Sequence, residues 1–248
     1  MELLQIRHPT GAAARTRLIA FPHAGGDTVM FRDWRKLLAP EIELAAVRLP
    51  GRGTRIDEPL PRDLMALAED IAAGLVPNLP PSWGLFGHSF GAILAFEVAR
   101  ILVERWKRSP DYLIVSASEP PQNSWNPRPQ MHQLDEEAFL DHVLNMGGVP
   151  AEIQPHREIL DIISPIIRAD IQSLETYRYR EGPLLDVPTL VLGGREDGRV
   201  RKDHMVDWTR VVAGKSHLRI FSGGHFYYHD HLREVMAFLK EWILQQLS

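Results

Sequence analysis

Apolar positions along the chain fall into two alternating kinds of run. Candidate strand runs occur at 17–22 (RLIAFP), 43–49 (ELAAVRL), 83–87 (WGLFG), 111–118 (DYLIVSAS), 189–194 (TLVLGG) and 218–224 (LRIFSGG), several of them short, continuous apolar stretches closed by Gly or Pro. Runs of this kind predict strands buried on both faces of a parallel sheet. Between them, helical spacing at about 29–39, 63–75, 91–106, 203–213 and 230–247 predicts helices. In the last of these, Leu232, Val235, Met236, Leu239, Trp242 and Ile243 define one apolar face that should pack on the sheet. The alternation as a whole predicts an α/β fold, with a mostly parallel central sheet and helices on both faces.

The alternation fails once. From Glu119 to about Arg180 there is no strand pattern. A Pro-rich entry, EPPQNSWNPRPQ, leads instead into helix-like LDEEAFLDHVLNMGG and EIQPHREILDIISPIIRADIQSLETYRY. An insertion of this size with its own helices predicts a cap over one edge of the sheet, since bare loops of such length are uncommon. With no internal repeat, low-complexity tract or interdomain linker, residues 1–248 read as a single domain carrying an insertion at about 119–180.

Composition narrows the partners. The chain is 44% apolar and 24% charged, ordinary for a globular protein with a sizeable core. A formal charge of -4 gives no general attraction to nucleic acid or to an anionic membrane surface, so neither partner is expected. No apolar stretch approaches the roughly 18 residues of a membrane helix. The start, MELLQIRHPTG, lacks the pattern of a secretory signal, and a cytoplasmic location is expected. The absence of cysteine excludes disulfides, zinc-thiolate sites and a cysteine nucleophile.

The sharpest corner is Gly87-His88-Ser89-Phe90-Gly91, between a predicted strand and a helix whose Ile93, Leu94, Phe96, Val98, Ile101 and Leu102 are apolar round most of its circumference. A turn this short forces the serine into a strained backbone conformation and requires small neighbours where strand and helix nearly touch. It also lifts the hydroxyl above the sheet at a helix N-terminus, whose N–H groups favour developing negative charge. Ser89 is therefore a candidate nucleophile; the competing reading is a tight strand-helix turn.

A serine hydroxyl needs a base to take its proton, and the base needs an acceptor to fix its tautomer. In α/β-hydrolases these follow in the order Ser, Asp or Glu, His, on loops at the C-terminal ends of later strands. TLVLGGREDGRV puts Asp197 just past one strand, and LRIFSGGHFYY puts His225 just past the next. Glu196 and Asp186 are rivals for the acid, but Glu196 is nearer the strand and Asp186 precedes it. HFYYHDH also admits a metal cluster with His229 and His231, but HExxH is absent, so no metal site is expected and those two histidines read as exposed or capping residues at the start of the final helix. His23 and His88, each beside a catalytic loop, read as packing and hydrogen-bonding residues.

Acyl transfer also needs N–H donors for the oxyanion. Phe90, next after the serine, offers one. The Gly-rich loop FPHAGGD after the first strand offers a second, assigned to Ala24, although an ordinary Gly-rich turn has the same appearance. Neither G-x-G-x-x-G nor a Walker-type GK[ST] is present to suggest phosphate binding.

Taken in order, FPHAGG, RLPGRGTR, GHSFGA, GGREDGRV and SGGHFY resemble the type II thioesterases of polyketide and nonribosomal peptide synthesis, over essentially the whole chain from Leu18. One departure is visible, since the family's PGRE turn reads Pro50-Gly51-Arg52-Gly53 here. The resemblance implies an α/β-hydrolase fold with a helical lid at about 119–180. It also implies a free-standing editing enzyme that hydrolyses acyl groups from the phosphopantetheine thiol of acyl or peptidyl carrier proteins. Ser89 would be nucleophile, His225 base, Asp197 its partner, and Ala24 and Phe90 the oxyanion donors. No resident cofactor is implied, and a monomer is expected. Phe139, Leu144, Ile163 and Ile167 of the lid either line an acyl channel or pack the lid's own core. Arg100, Arg105, Lys107 and Arg108 are either a docking patch for an acidic carrier or a solvated helix end. The alternatives are a carboxylesterase or lipase acting on free small esters, and a non-catalytic α/β-hydrolase binding scaffold.

Overall fold

The computed structural model describes residues 4–6, 14–123 and 130–247. Among the described residues seven strands, β1 (Leu4–Ile6), β2 (Thr16–Phe21), β3 (Ile42–Val47), β4 (Trp83–His88), β5 (Tyr112–Ser116), β6 (Thr189–Gly194) and β7 (Ser216–Phe221), form one sheet in the order β1-β3-β2-β4-β5-β6-β7. The pairings from β3 to β7 are parallel, and β1 joins β3 antiparallel at the edge. The helices are α1 (Trp34–Leu38), α2 (Leu64–Leu75), α3 (Phe90–Trp106), α4 (Glu136–Asn145), α5 (Arg157–Thr176), α6 (Lys202–Met205) and α7 (Leu232–Gln246). This is the α/β-hydrolase architecture.

Alternation along β2 shows how the two faces are filled. Ile19 and Phe21 join the core that α2 and α3 cover, while Leu18 and Ala20 join the opposite core under α1 and α7. Because α3 lies in the middle of its layer, Phe90–Val98 along with Ala99, Ile101 and Leu102 are buried all round the helix. The apolar face of α7 packs as its period demands, with Val235, Met236, Leu239, Trp242 and Ile243 buried.

Several expected elements differ. The helix expected at 29–39 is a 3-10 turn, Thr28–Phe31, followed by the short α1. The Asp27 carboxylate accepts the Thr28 N–H at 2.6 Å and starts the turn early, and Pro40 lies just beyond the helix end. The one at 203–213 is α6 and a 3-10 turn, Val206–Arg210. The last strand ends at Phe221, which frees Ser222, Gly223 and Gly224 for the loop before His225. Strand β1 was not anticipated; three residues are too few for a period to show. The insertion contains α4 and α5, and part of its Pro-rich entry, 124–129, lies outside the described residues, as does most of the N-terminal segment. Among the described residues, no helix is long and apolar enough to cross a membrane.

Candidate active site

The chain leaves β2 towards β3 on one side and returns as β4 on the other, so a crevice opens at the C-terminal ends of these strands. Ser89 stands on this rim, half-buried, with φ 56 and ψ −117. Glycine favours this conformation and other residues enter it only under strain. Close approach explains the flanking glycines. A Cβ on Gly87 would lie 2.0 Å from the Gly91 carbonyl oxygen, and one on Gly91 would lie 2.5 Å from the carbonyl oxygens of Phe21 and Pro22. The Ser89 N–H donates to the Ser116 carbonyl at 2.8 Å, which ties the corner to the end of β5.

Asp197 and His225, on the loops after β6 and β7, are brought together: His225 Nδ1 donates to Asp197 Oδ2 at 2.8 Å, with both side chains nearly buried. The other carboxylate oxygen accepts the Arg199 N–H at 2.9 Å and the Val200 N–H at 3.4 Å. Burial opposes ionisation of Asp197, but the His225 hydrogen bond, the imidazole's charge and those two N–H groups outweigh it and hold the carboxyl below its ordinary value. Neither rival acid reaches His225. Glu196 instead takes the Gly223 N–H, tying the two loops together, and Asp186 is exposed ahead of β6. The Asp197 bond leaves Nε2 as the open edge of the imidazole. No hydrogen bond closes the step from Nε2 to the Ser89 hydroxyl among the described residues. Such contacts commonly tighten only when substrate is bound.

His88 is fully buried below this rim, its ring 5.2 Å from that of His225. Its Nδ1 is 2.9 Å from the Ser116 hydroxyl, which is 2.8 Å from the Tyr227 hydroxyl. Burial first, then the neighbouring His225, His23 and His229, hold His88 well below the ordinary histidine value. Burial likewise takes His23 down to about 4; its Nδ1 donates to the Ala24 carbonyl at 2.9 Å. Both are neutral packing groups near neutral pH. His229 stacks on Phe226 at 5.5 Å and His231 occupies the N-cap position of α7 without a side-chain cap bond.

Phe90, first residue of α3, has an N–H with no intrahelical acceptor. The Ala24 N–H makes no backbone hydrogen bond among the described residues. The next N–H, Gly25's, donates to the Asp170 carboxylate of α5 at 2.7 Å, and Asp170 is held in turn by Arg52 from the PGRG turn. Sequence reasoning missed Arg52, Asp170, Ser116 and Tyr227. Asp170 did leave a trace: it interrupts an apolar row, Ile163-Ile167-Asp170-Leu174, at helical spacing. At the departure from PGRE, Gly53 lies beside Arg48, and the carboxylate that meets the Arg48 guanidinium is that of Asp27, at 3.3 Å.

Phe139, Leu144, Ile163 and Ile167 share one apolar cluster of the lid, against which Ala24 packs. Within it Phe139 is fully buried, with the Arg168 guanidinium 3.9 Å from its ring centre, whereas Ile167 meets the first loop at Gly25. In the basic cluster at the end of α3, Arg100 binds Glu97 and the Arg180 carbonyl, and Arg105 pairs with Glu69. An imidazole held by a carboxylate, on the same rim as a serine at a helix N-terminus with open N–H groups, is equipped for acyl transfer.

Comparison with known proteins agrees with this chemistry. A family model described as "Thioesterase domain" matches residues 16–243. "Thioesterase PikA5" of Streptomyces venezuelae is 35% identical over 238 residues, 96% of this chain and 84% of that protein. The medium-chain S-acyl fatty acid synthase thioesterase of Rattus norvegicus is 32% identical over 215 residues, 85% of this chain and 81% of that protein. Among solved structures, the type II thioesterase BorB from the borrelidin biosynthetic cluster superposes with a TM-score of 0.89 at 31% identity, covering 99% of this chain and 98% of that one.

Proposed function

Since the chain belongs to the thioesterase family, we propose that it is a free-standing type II enzyme that hydrolyses acyl groups from the phosphopantetheine thiol of acyl or peptidyl carrier proteins in polyketide or nonribosomal peptide synthesis. It acts as a monomer in the cytoplasm. Ser89 Oγ adds to the thioester carbonyl carbon as His225 Nε2 takes its proton, and the Ala24 and Phe90 N–H groups meet the charge on the carbonyl oxygen. The C–S bond then breaks, and the departing thiolate takes the proton from His225 and leaves an acyl-Ser89 ester. Water, giving its proton to His225, attacks that ester; collapse returns the proton to Ser89 Oγ and releases the carboxylic acid. Asp197 holds the imidazole in the tautomer that keeps Nε2 free and stabilises the imidazolium. No resident cofactor enters these steps, because the pantetheine arm belongs to the partner.

The observation that carries the reading is the 2.8 Å contact of His225 with Asp197, which turns Nε2 into the available base on the rim where Ser89 is held at φ 56. The test is a panel of acyl groups loaded on a carrier protein, on a free pantetheine analogue and on simple alcohols. Acyl-carrier thioesters should be turned over, and Ser89→Ala should abolish turnover with the fold intact. Unchanged turnover in that variant removes Ser89 from the mechanism. Oxygen esters cleaved far faster than any acyl-carrier thioester favour a carboxylesterase, and failure of a fluorophosphonate probe to label Ser89 favours a binding scaffold.

A further inference from the structure

The carboxylate of Asp170 is fully buried, yet it belongs to helix α5 of the lid and takes no part in the steps above. Its Oδ2 accepts the Gly25 N–H at 2.7 Å and Arg52 Nη1 at 2.8 Å, and its Oδ1 accepts Arg52 Nη2 at 2.9 Å. Arg52, itself 4% exposed, also donates to the Gly26 carbonyl at 3.1 Å and the Pro50 carbonyl at 3.2 Å. Three segments far apart in sequence thus meet on one buried ion pair: the first loop, the PGRG turn and the lid.

The consequence for the first loop can be followed peptide by peptide. The orientation of the Ala24 N–H is set by the peptide before Ala24 and by the one after it. The preceding peptide is fixed through the His23 carbonyl, which accepts the Gly26 N–H at 2.9 Å. The following peptide is fixed at both edges, its carbonyl by His23 Nδ1 at 2.9 Å and its Gly25 N–H by Asp170. Without Asp170 one of these edges is free and a half-buried N–H loses its acceptor. The lid also presses directly on the loop, because a Cβ on Gly25 would lie 2.3 Å from Ile167 Cγ1.

We propose that Asp170, clamped by Arg52, is a positioning residue for the oxyanion loop, so that the Ala24 N–H is aimed at the reacting carbonyl only while helix α5 of the lid is seated. The proposal rests on the thioesterase reading and adds to it that lid and oxyanion cradle are one unit. An interaction present only with the charged tetrahedral centre changes kcat and leaves KM nearly untouched.

The test compares Asp170→Leu, Arg52→Lys and the double variant Arg52→Met/Asp170→Leu with the parent enzyme. Turnover of an acyl-pantetheine thioester is normalised to folded protein. Binding of an alkyl boronic acid, which forms an anionic tetrahedral adduct with the serine, is measured in parallel. Loss of an oxyanion donor lowers kcat by about 100- to 1,000-fold, so a misaimed one should lower it by about 10- to 100-fold with KM within about threefold, and weaken the boronate by a similar factor. The double variant carries no uncompensated charge; it should regain thermal stability but not kcat, because the Gly25 N–H still has no acceptor. Parent-like kcat in Asp170→Leu, recovery of kcat in the double variant, or unchanged boronate affinity would each overturn the proposal. Ser89→Ala, run alongside, separates the two questions. If it is inactive and the parent active, the thioesterase reading stands and the Asp170 variants alone decide the positioning role.

Discussion

The Ser116 hydroxyl lies 2.8 Å from the hydroxyl of Tyr227, and the same oxygen is 2.9 Å from His88 Nδ1. One small side chain at the end of β5 therefore touches the residue before Ser89 and the residue two places after His225, while its carbonyl holds the Ser89 N–H. Ser116→Ala leaves two buried polar groups without a partner and should cost about 2–4 kcal/mol, whereas Tyr227→Phe, which leaves Ser116 bonded to His88, should cost about 1 kcal/mol. Urea unfolding of the two variants measures the difference. Equal destabilisation would show that Ser116 is not the junction.

Two features explain why parts of this site could be read in the sequence and parts could not. Ser89, Asp197 and His225 each follow an apolar run that ends at a sheet edge, so local pattern locates their loops, and parallel strands bring those loops to one rim. Asp170 and Arg52 follow no such run: they are 118 positions apart, Arg52 is an ordinary charge until the fold buries it, and Asp170 shows only as a break in the apolar row of its helix. Strand existence was legible for the five runs of β2 to β6 because burial on both faces demands them, whereas β7, at the sheet edge, is mostly exposed and shows only through Leu218, Ile220 and Phe221. The short β1, at an antiparallel edge, has no such demand. The expected helices at 29–39 and 203–213 contain helical spacing, but in each the chain divides it between a 3-10 turn and a short α-helix, and spacing alone does not distinguish the two.

Asp197→Asn keeps the shape of the carboxylate and removes its charge, so His225 loses the acceptor that selects its tautomer. The expected result is a fall in kcat of about 1,000- to 10,000-fold with the fold retained. Steady-state kinetics at neutral pH test this, and a loss of less than tenfold would assign the acid to another residue. Because the folded Asp197 titrates below its ordinary 3.8, its contribution to stability is full above that value and drains as the pH falls through the lowered one.

A separate loss of stability belongs to the buried histidines. His88 is held well below 6.5, and His23 falls from 6.5 to about 4, both chiefly through burial. The unfolded chain binds these protons from about 6.5 downwards while the folded chain refuses them. Stability is therefore full above pH 6.5 and declines as the pH falls towards 4. His88→Asn, which retains a polar group near the Ser116 hydroxyl, should remove one proton from this linkage and reduce the slope by up to about 1.4 kcal/mol per pH unit. Denaturant midpoints of parent and variant between neutral pH and pH 4.5 provide the measurement; parallel slopes would mean that His88 does not titrate on unfolding.

Strain at the corner can be separated from chemistry by two substitutions at one position. Ser89→Ala and Ser89→Gly both remove the hydroxyl, and both should be inactive. They differ in the Cβ, which disfavours φ 56 and ψ −117 for alanine as it does for serine. Relief of that strain is worth about 1–3 kcal/mol, offset by about 0.5–1 kcal/mol for the greater freedom of glycine in the unfolded chain. Ser89→Gly should thus unfold at higher denaturant than Ser89→Ala, by about 1 kcal/mol. The parent should fall near the alanine variant, since its hydroxyl makes no side-chain capping bond to α3. A glycine variant less stable than the alanine variant by about 0.5–1 kcal/mol would mean that the backbone at 89 stores no strain, and that the reactive serine is held in place by its neighbours at no conformational cost.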